Sequence, residues 1–292
     1  MKLTNPTASI FVPDHSPQND ASPEVLKKAI ARTTHMGIGA HQDDLEFMAL
    51  HGILQCYQSE VNWFTGVTVT DGAGSARTNE YAGYTDARMK EVRRKEQNKA
   101  AVVGEYAAMI SLDYPSSAVK NPANRNVIDD LKRIILAAGP KFIYTHNLAD
   151  KHDTHIGVAI PLIQALRELP ENSRPEGVYG CEGWRNLDWM LDVDKITFDV
   201  SSRENVSMAL MGIFDSQISG GKRYDLATYG RKKCNATYFS SHSTDEVRLQ
   251  EFAMDLTPLI KDPTLDICNY VQSLIQRFAD DVKNRVSKRL GH

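Results

Sequence analysis

The first strongly apolar run is Met36-Gly37-Ile38-Gly39-Ala40, short and built of small residues, as a buried strand requires. It ends abruptly in the polar knot His41-Gln42-Asp43-Asp44. Beyond the knot Phe47, Leu50, Leu54 and Tyr57 recur at helical spacing, which predicts one helix over 45–57 with a single buried face. The same alternation continues down the chain. Residues 61–70 are β-branched and aromatic and read as a second strand, which runs into the glycine-rich loop 71–77. A helix follows over 86–106, then a strand over 109–112 closed by a turn at 113–116. The helix over 127–138 is stopped by Gly139-Pro140, and 141–146 and 156–169 give the next strand and helix. A strand over 195–200, a helix over 202–214 and a long amphipathic helix over 265–290 complete the pattern. Strand, loop and helix recur four times, so the fold class is α/β. A Rossmann-like, doubly wound, mainly parallel sheet with helices on both faces is expected.

The N-terminal 30 residues differ. Pro6, Pro13, Pro17 and Pro23 mark an irregular arm, with room for a short helix over 23–30 capped by Ser22. Residues 31–292 are expected to form a single α/β domain with a C-terminal helical extension.

In open α/β sheets ligands bind beyond the carboxyl ends of the strands. The polar residues at those ends are therefore the candidates for chemistry. His41 and Asp44 place a nitrogen and an oxygen donor on one tight turn, a pair that suits zinc. An N-cap would explain Asp44 alone, but not His41, Asp43 and Asp44 together. Gly37-x-Gly39 is a poor dinucleotide loop, because Gln42 occupies the third glycine position and a carboxylate pair would repel a pyrophosphate. The second knot, Asn147 to His155, again lies between a strand and a helix. Its His152 and His155 are three apart at a helix start, so both can face one point. Three protein ligands with an open position are the pattern of a catalytic zinc site. Asp71 and Gly72 in the glycine-rich loop and Asp113 after the third strand lie at neighbouring strand ends. The charge run around Arg93, Arg94 and Glu96 reads mostly as a solvated helix face. The basic cluster Arg223 to Lys233 stands near aromatics and is placed to meet polar groups of a ligand.

Composition narrows the function. A net charge of −3 gives no argument for nucleic acid or an anionic membrane. No apolar run has the length of a membrane span or of a secretory signal. Cys56, Cys181, Cys234 and Cys268 are far apart without CxxC, which fits reduced thiols in a cytoplasmic protein. A small-molecule partner is expected, and the C-terminal helix is expected either to pack on the outside of the domain or to serve self-association into a homo-oligomer.

Ala40-His41-Gln42-Asp43-Asp44-Leu45-Glu46 resembles the AHPDDE motif of the PIG-L/LmbE family of zinc-dependent N-acetylglucosamine-type deacetylases. Thr70-Asp71-Gly72-Ala73-Gly74, Arg93-Arg94-Lys95-Glu96, the His-x-x-His loop and Phe214-Asp215-Ser216-Gln217 follow in the family's order, so the likeness spans roughly 34–220. The resemblance implies an LmbE-like fold. It also implies that His41, Asp44 and His155 hold one Zn2+ (or Fe2+) per chain and that Asp43 is the general base. His152 would steady the reacting oxygen and Arg93 would reach the substrate; the strand-end position of the loops 71–77 and 113–117 adds Asp71, Gly72 and Asp113 as expected sugar contacts. Adjacent residues of a turn point in different directions, which agrees with separate roles for Asp43 and Asp44. Two departures stand out. Gln42 replaces the family's proline, and Thr154 stands where an aspartate would orient the neighbouring histidine. Asp150 or Asp153 is then left to take that supporting role. The activity implied is removal of an acetyl group from the nitrogen of an N-acetylated amino sugar or sugar conjugate. Cleavage of a non-sugar amide and a catalytically silent sugar-binding module are the alternatives, and the intact Asp43 argues against the second.

Overall fold

The computed structural model describes residues 1–14 and 22–291; residues 15–21, within the expected irregular arm, lie outside it. The chain opens with β1 (Ser9–Phe11), α1 (Pro23–Ala31), β2 (His35–Gly39), α2 (Asp44–Met48), α3 (Leu50–Cys56) and β3 (Phe64–Thr70). It continues through α4 (Asp86–Val103), β4 (Ala108–Tyr114), α5 (Ser116–Val119), α6 (Asn126–Ala138), β5 (Phe142–His146) and α7 (Asp153–Arg167). Then come β6 (Gly177–Cys181), β7 (Lys195–Asp199), α8 (Glu204–Gly212), α9 (Asp215–Ile218), α10 (Tyr224–Tyr238), β8 (Gln250–Asp255), α11 (Thr257–Lys261) and α12 (Ile267–Leu290).

The strands form one sheet in the order β1-β4-β3-β2-β5-β6-β8-β7. β2 to β6 are parallel; β1 and β8 run against them. β2, β3 and β4 are buried throughout, as a strand covered by helices on both faces must be. One apolar cluster joins α1, α6, α7 and α11 to the sheet, and a second joins α2, α3, α4 and α8 to the other face. The chain winds from β2 outward through β3 and β4, then returns to pair β5 on the opposite side of β2. The loops after β2 and β5 therefore flank the topological switch point, where a doubly wound sheet opens a crevice.

Local signals account for most boundaries. Ser22 accepts the Val25 amide at the start of α1, and Thr85 accepts that of Arg88 at the start of α4. Gly139 closes α6 in the left-handed conformation at φ 59°.

Two expectations are corrected. The helix predicted over 45–57 is two helices broken at Ala49. The polar groups freed at the break find distant partners: Lys232 Nζ donates to Phe47 O at 2.9 Å, and the His51 amide donates to Glu251 at 3.1 Å. The solvated reading of the α4 charge run holds for Asp86, Arg88, Glu91, Lys95 and Lys99 but fails at its middle: Arg93 and Gln97 are buried against the loop after β2, and Glu96 is buried against Ser216. Strands β1, β6 and β8 have no counterpart in the periodicity reading. β1 and β6 are short, and β6 carries two glycines.

No helix among the described residues is long and apolar enough to cross a membrane. All four cysteines are free thiols.

Candidate active site

The loop after β2 must turn sharply to bring α2 back over the sheet. A Cβ at Gly39 would stand 2.9 Å from that of Asp44, so glycine there lets the carboxylate fold over the strand end. The His41 amide donates to Asp44 Oδ2 at 2.6 Å, so Asp44 fastens its own turn. Asp43 occupies the cap position of α2 but makes no side-chain cap bond, which leaves its carboxylate for other partners. Its φ of 101° is left-handed, a conformation that costs about 1–3 kcal/mol and is kept only where neighbours enforce it.

The loop after β5 meets this turn. His41 Nδ1 lies 3.4 Å from Asp44 Oδ2, and His155 Nε2 lies 3.5 Å from Asp44 Oδ1. The rings of His41, His152 and His155 are 4.6–5.3 Å apart, and one nitrogen of each falls within 4.8 Å of the others. His155 Nδ1 is hydrogen-bonded to Asp150 Oδ2 at 2.9 Å. Its Nε2 is buried without a hydrogen-bond partner and points at Asp44. An orphaned buried nitrogen beside a carboxylate and two further imidazoles is the donor set that a divalent metal satisfies, so these residues fit zinc. His152 Nδ1 is likewise buried and unpartnered.

Electrostatics divide the two adjacent aspartates. Burial raises the Asp43 carboxyl to about 6, against the pull of Arg93. Burial would raise Asp44 as well, but His155 and His146 beside it hold it well below the usual carboxylate range. Burial lowers His152, reinforced by His155 and His41; it also opposes charge on His155, where Asp44 and Asp150 prevail and raise it. Asp44 is thus favoured as the anion, whereas Asp43 is the more readily protonated of the pair.

Each residue expected from sequence has a definite place. His41, Asp44, His152 and His155 converge, with Asp43 next to them. Arg93, 1% exposed, reaches Asp43 Oδ2 at 3.3 Å and also donates to Gln42 O. Asp150 supports His155, while Asp153 is exposed in the first turn of α7. Gly183 makes room for that support: a Cβ there would stand 2.3 Å from Asp150 Oδ2. Gln42, in place of proline, donates to Thr70 O at 2.9 Å and ties the loop to the end of β3. Asp71 is taken up by Lys90 at 2.6 Å and the Ala73 amide, and Asp113 by Arg94. Gly72, at φ 73°, packs against Gln42 and Arg93.

Sequence reasoning missed several neighbours. His146 stacks on His155 with ring centroids 3.7 Å apart; its Nε2 already accepts the Ala40 amide, which commits that nitrogen to the backbone. The signal was available, since His146 ends a strand beside the first knot. Trp184 follows the unrecognised strand β6 and lies parallel to His152 at 6.1 Å. A cavity of about 240 Å³ opens beside Asp44 and His146, lined by Phe47, Trp184, Tyr224, Lys222 and Arg231 among others. The basic cluster read from sequence over Arg223 to Lys233 thus reaches the cavity through Arg223, Tyr224, Arg231 and Lys232.

Residues 36–166 match the family model described as PIG-L: GlcNAc-PI de-N-acetylase. No curated protein sequence matches the chain. Among solved structures, the N,N'-diacetylchitobiose deacetylase from Pyrococcus horikoshii is similar at TM-score 0.60 and 16% identity, covering 86% of this chain and 99% of its own. GalB, the 4-carboxy-2-hydroxymuconate hydratase from Pseudomonas putida, is similar at TM-score 0.58 and 17% identity, covering 77% and 97%. The teicoplanin deacetylase Orf2, solved in a zinc-inhibited form, gives TM-score 0.52 and 16% identity, covering 77% and 99%. At such identities the likeness establishes the fold. Both polar knots and the strands that present them lie inside the matched segment, so the chain carries a PIG-L family domain over residues 36–166.

Proposed function

We propose that the protein is a metal-dependent hydrolase that removes the acetyl group from the nitrogen of an N-acetylated amino sugar or sugar conjugate. One observation carries this reading: Asp44 lies beside both His41 Nδ1, at 3.4 Å, and the unpartnered His155 Nε2, at 3.5 Å, with His152 drawn to the same two histidines. His41, Asp44 and His155 would hold one Zn2+ or Fe2+, which would supply Lewis acidity and lower the pKa of water. Asp43 takes the proton of the attacking water, and the carbon–oxygen bond forms at the acetamide carbonyl. His152, beside His41 and His155, steadies the oxygen that gains charge. The C–N bond then breaks, and the amine leaves with the proton held by Asp43 or His152. Asp150 keeps His155 in the tautomer that presents Nε2.

The cavity supports the substrate assignment. Trp184 offers an aromatic face beside His152, and Lys222, Tyr224 and Arg231 add donors for hydroxyl groups. Arg93, Asp71, Gly72 and Asp113, expected as sugar contacts, are engaged within the protein; we assign them to holding the loops around the site. The deacetylase activities named for the chitobiose and teicoplanin relatives support an N-acyl sugar derivative. The name of the GalB relative shows that the same fold also serves a hydratase, so the assay must read acetate. Free thiols at all four cysteines support a reducing, cytoplasmic setting.

The test is acetate release from a panel of N-acetylated sugars by protein reconstituted with zinc or iron. Chelation should abolish release, and His155→Ala should lose bound metal. Absence of acetate from every sugar and every simple acetamide, with metal bound, would overturn the reading.

A further inference from the structure

Asp43 combines a buried carboxylate with a left-handed backbone, and something must hold it there. α4 supplies two side chains one helical turn apart. Arg93 reaches the carboxylate at 3.3 Å, and Gln97 reaches the backbone, its Oε1 accepting the Asp43 amide at 3.2 Å. Gln97 Nε2 donates to Glu46 Oε1 at 2.8 Å, and the same oxygen accepts the Tyr106 hydroxyl at 2.7 Å. Gln97, Glu46 and Tyr106 are completely buried, so no water competes for these bonds. Tyr106 is itself fixed edge-on against Phe64 of β3, with centroids 4.7 Å apart.

We propose that Gln97 is a positioning residue for Asp43, anchoring its strained backbone to the Glu46–Tyr106 pair so that the carboxylate is presented in one orientation. The inference rests on the proton-accepting role proposed for Asp43. Only a carboxamide of this length meets the requirement. One end must accept from a backbone N–H while the other donates to a carboxyl group. Glutamate lacks the donor, methionine lacks both functions, and asparagine is one methylene short. Gln97 bonds to none of the converging histidines, nor to Asp44.

Two measurements test this, on the full chain with metal bound. Hydrogen exchange of the Asp43 amide should accelerate at least tenfold in Gln97→Met and Gln97→Glu, while amides of α4 stay protected (a fold-change on the order of one lost buried bond). With the best substrate, kcat should fall by about 10- to 100-fold at unchanged KM and metal content. In an Asp43→Asn background the same substitutions should cost nothing further. Unchanged Asp43 exchange in both variants would overturn the proposal, as would an equal loss of kcat with and without Asp43. If the wild-type protein releases no acetate, the hydrolase reading falls, while the exchange measurement still decides whether Gln97 holds Asp43. Two variants guard against a single failure to fold.

Discussion

Two charged segments flank the site, and they behave in opposite ways. On α4, Arg93, Glu96 and Gln97 turn inward and engage protein groups: Arg93 meets Asp43 and Gln42 O, Glu96 takes the Ser216 amide and hydroxyl, and Gln97 bonds to Glu46 and the Asp43 amide. From 222 to 232, Lys222 and Arg231 face the open cavity with Trp184 and Tyr224, and only Lys232 is buried, paired to Glu251 at 2.8 Å. In sequence the two runs look alike. The difference lies in what each helix packs against. α4 lies against the sheet and the catalytic loop, where a charge survives only when paired. The 222–231 stretch borders a cavity, where a donor can stay solvated until a ligand arrives. The α4 wall therefore shapes the turn that carries Asp43, and the 222–231 stretch keeps its donors at the cavity.

Substitutions on the two walls should separate these roles. The largest effect belongs to the residue that α4 serves. Asp43→Asn should keep its metal yet lose turnover by about 10²–10⁴-fold, read by acetate release and metal analysis. Loss of metal in that protein, with Asp44→Asn retaining it, would reverse the two roles. Next come the buried partners. Arg93→Met strands the Asp43 carboxylate, and Lys232→Met strands Glu251 at the break between α2 and α3; each should cost about 3–5 kcal/mol in urea unfolding. Should Arg93→Met unfold like wild type, the α4 wall would not be the constrained one. On the cavity side, Trp184→Ala should raise KM by about tenfold with kcat little changed, because it removes a contact shared by ground and transition states. A fall in kcat at constant KM would instead assign Trp184 to the chemistry, through His152. The smallest effect is expected far from both walls: Lys28→Ala removes an exposed pair with Glu24 and should leave melting and kinetics unchanged.

Much of this was legible in the chain because the signals were local. His41 and Asp44 share one turn, and His152 and His155 share another; turn geometry alone brings each pair together. Ser22 as the cap of α1 likewise acts within a few residues of itself. What was not legible depended on partners far along the chain. α4 read as solvated because its apolar periodicity is weak, and nothing local reveals that Arg93 and Gln97 face the loop some 50 residues earlier. The break at Ala49 follows the same rule, being satisfied by Lys232 and Glu251 about 200 residues away. Trp184 was missed because β6, the strand that delivers it, carries two glycines and little pattern.

The sequence by itself determined which residue types stand at the strand ends, and hence that a metal-binding, water-activating site was within reach, since side-chain chemistry and short-range spacing travel with the chain. Tertiary structure alone decided which of those residues meet. β2 and β5 lie about 100 residues apart in sequence but pair in the sheet, and that pairing sets Asp44 against His155. It also decided that Asp150, rather than exposed Asp153, takes the His155 Nδ1. Neighbouring charge then divided two equally buried aspartates: burial raises both carboxyls, but His155 and His146 beside Asp44 pull it down, while Arg93 offsets the burial of Asp43 only in part.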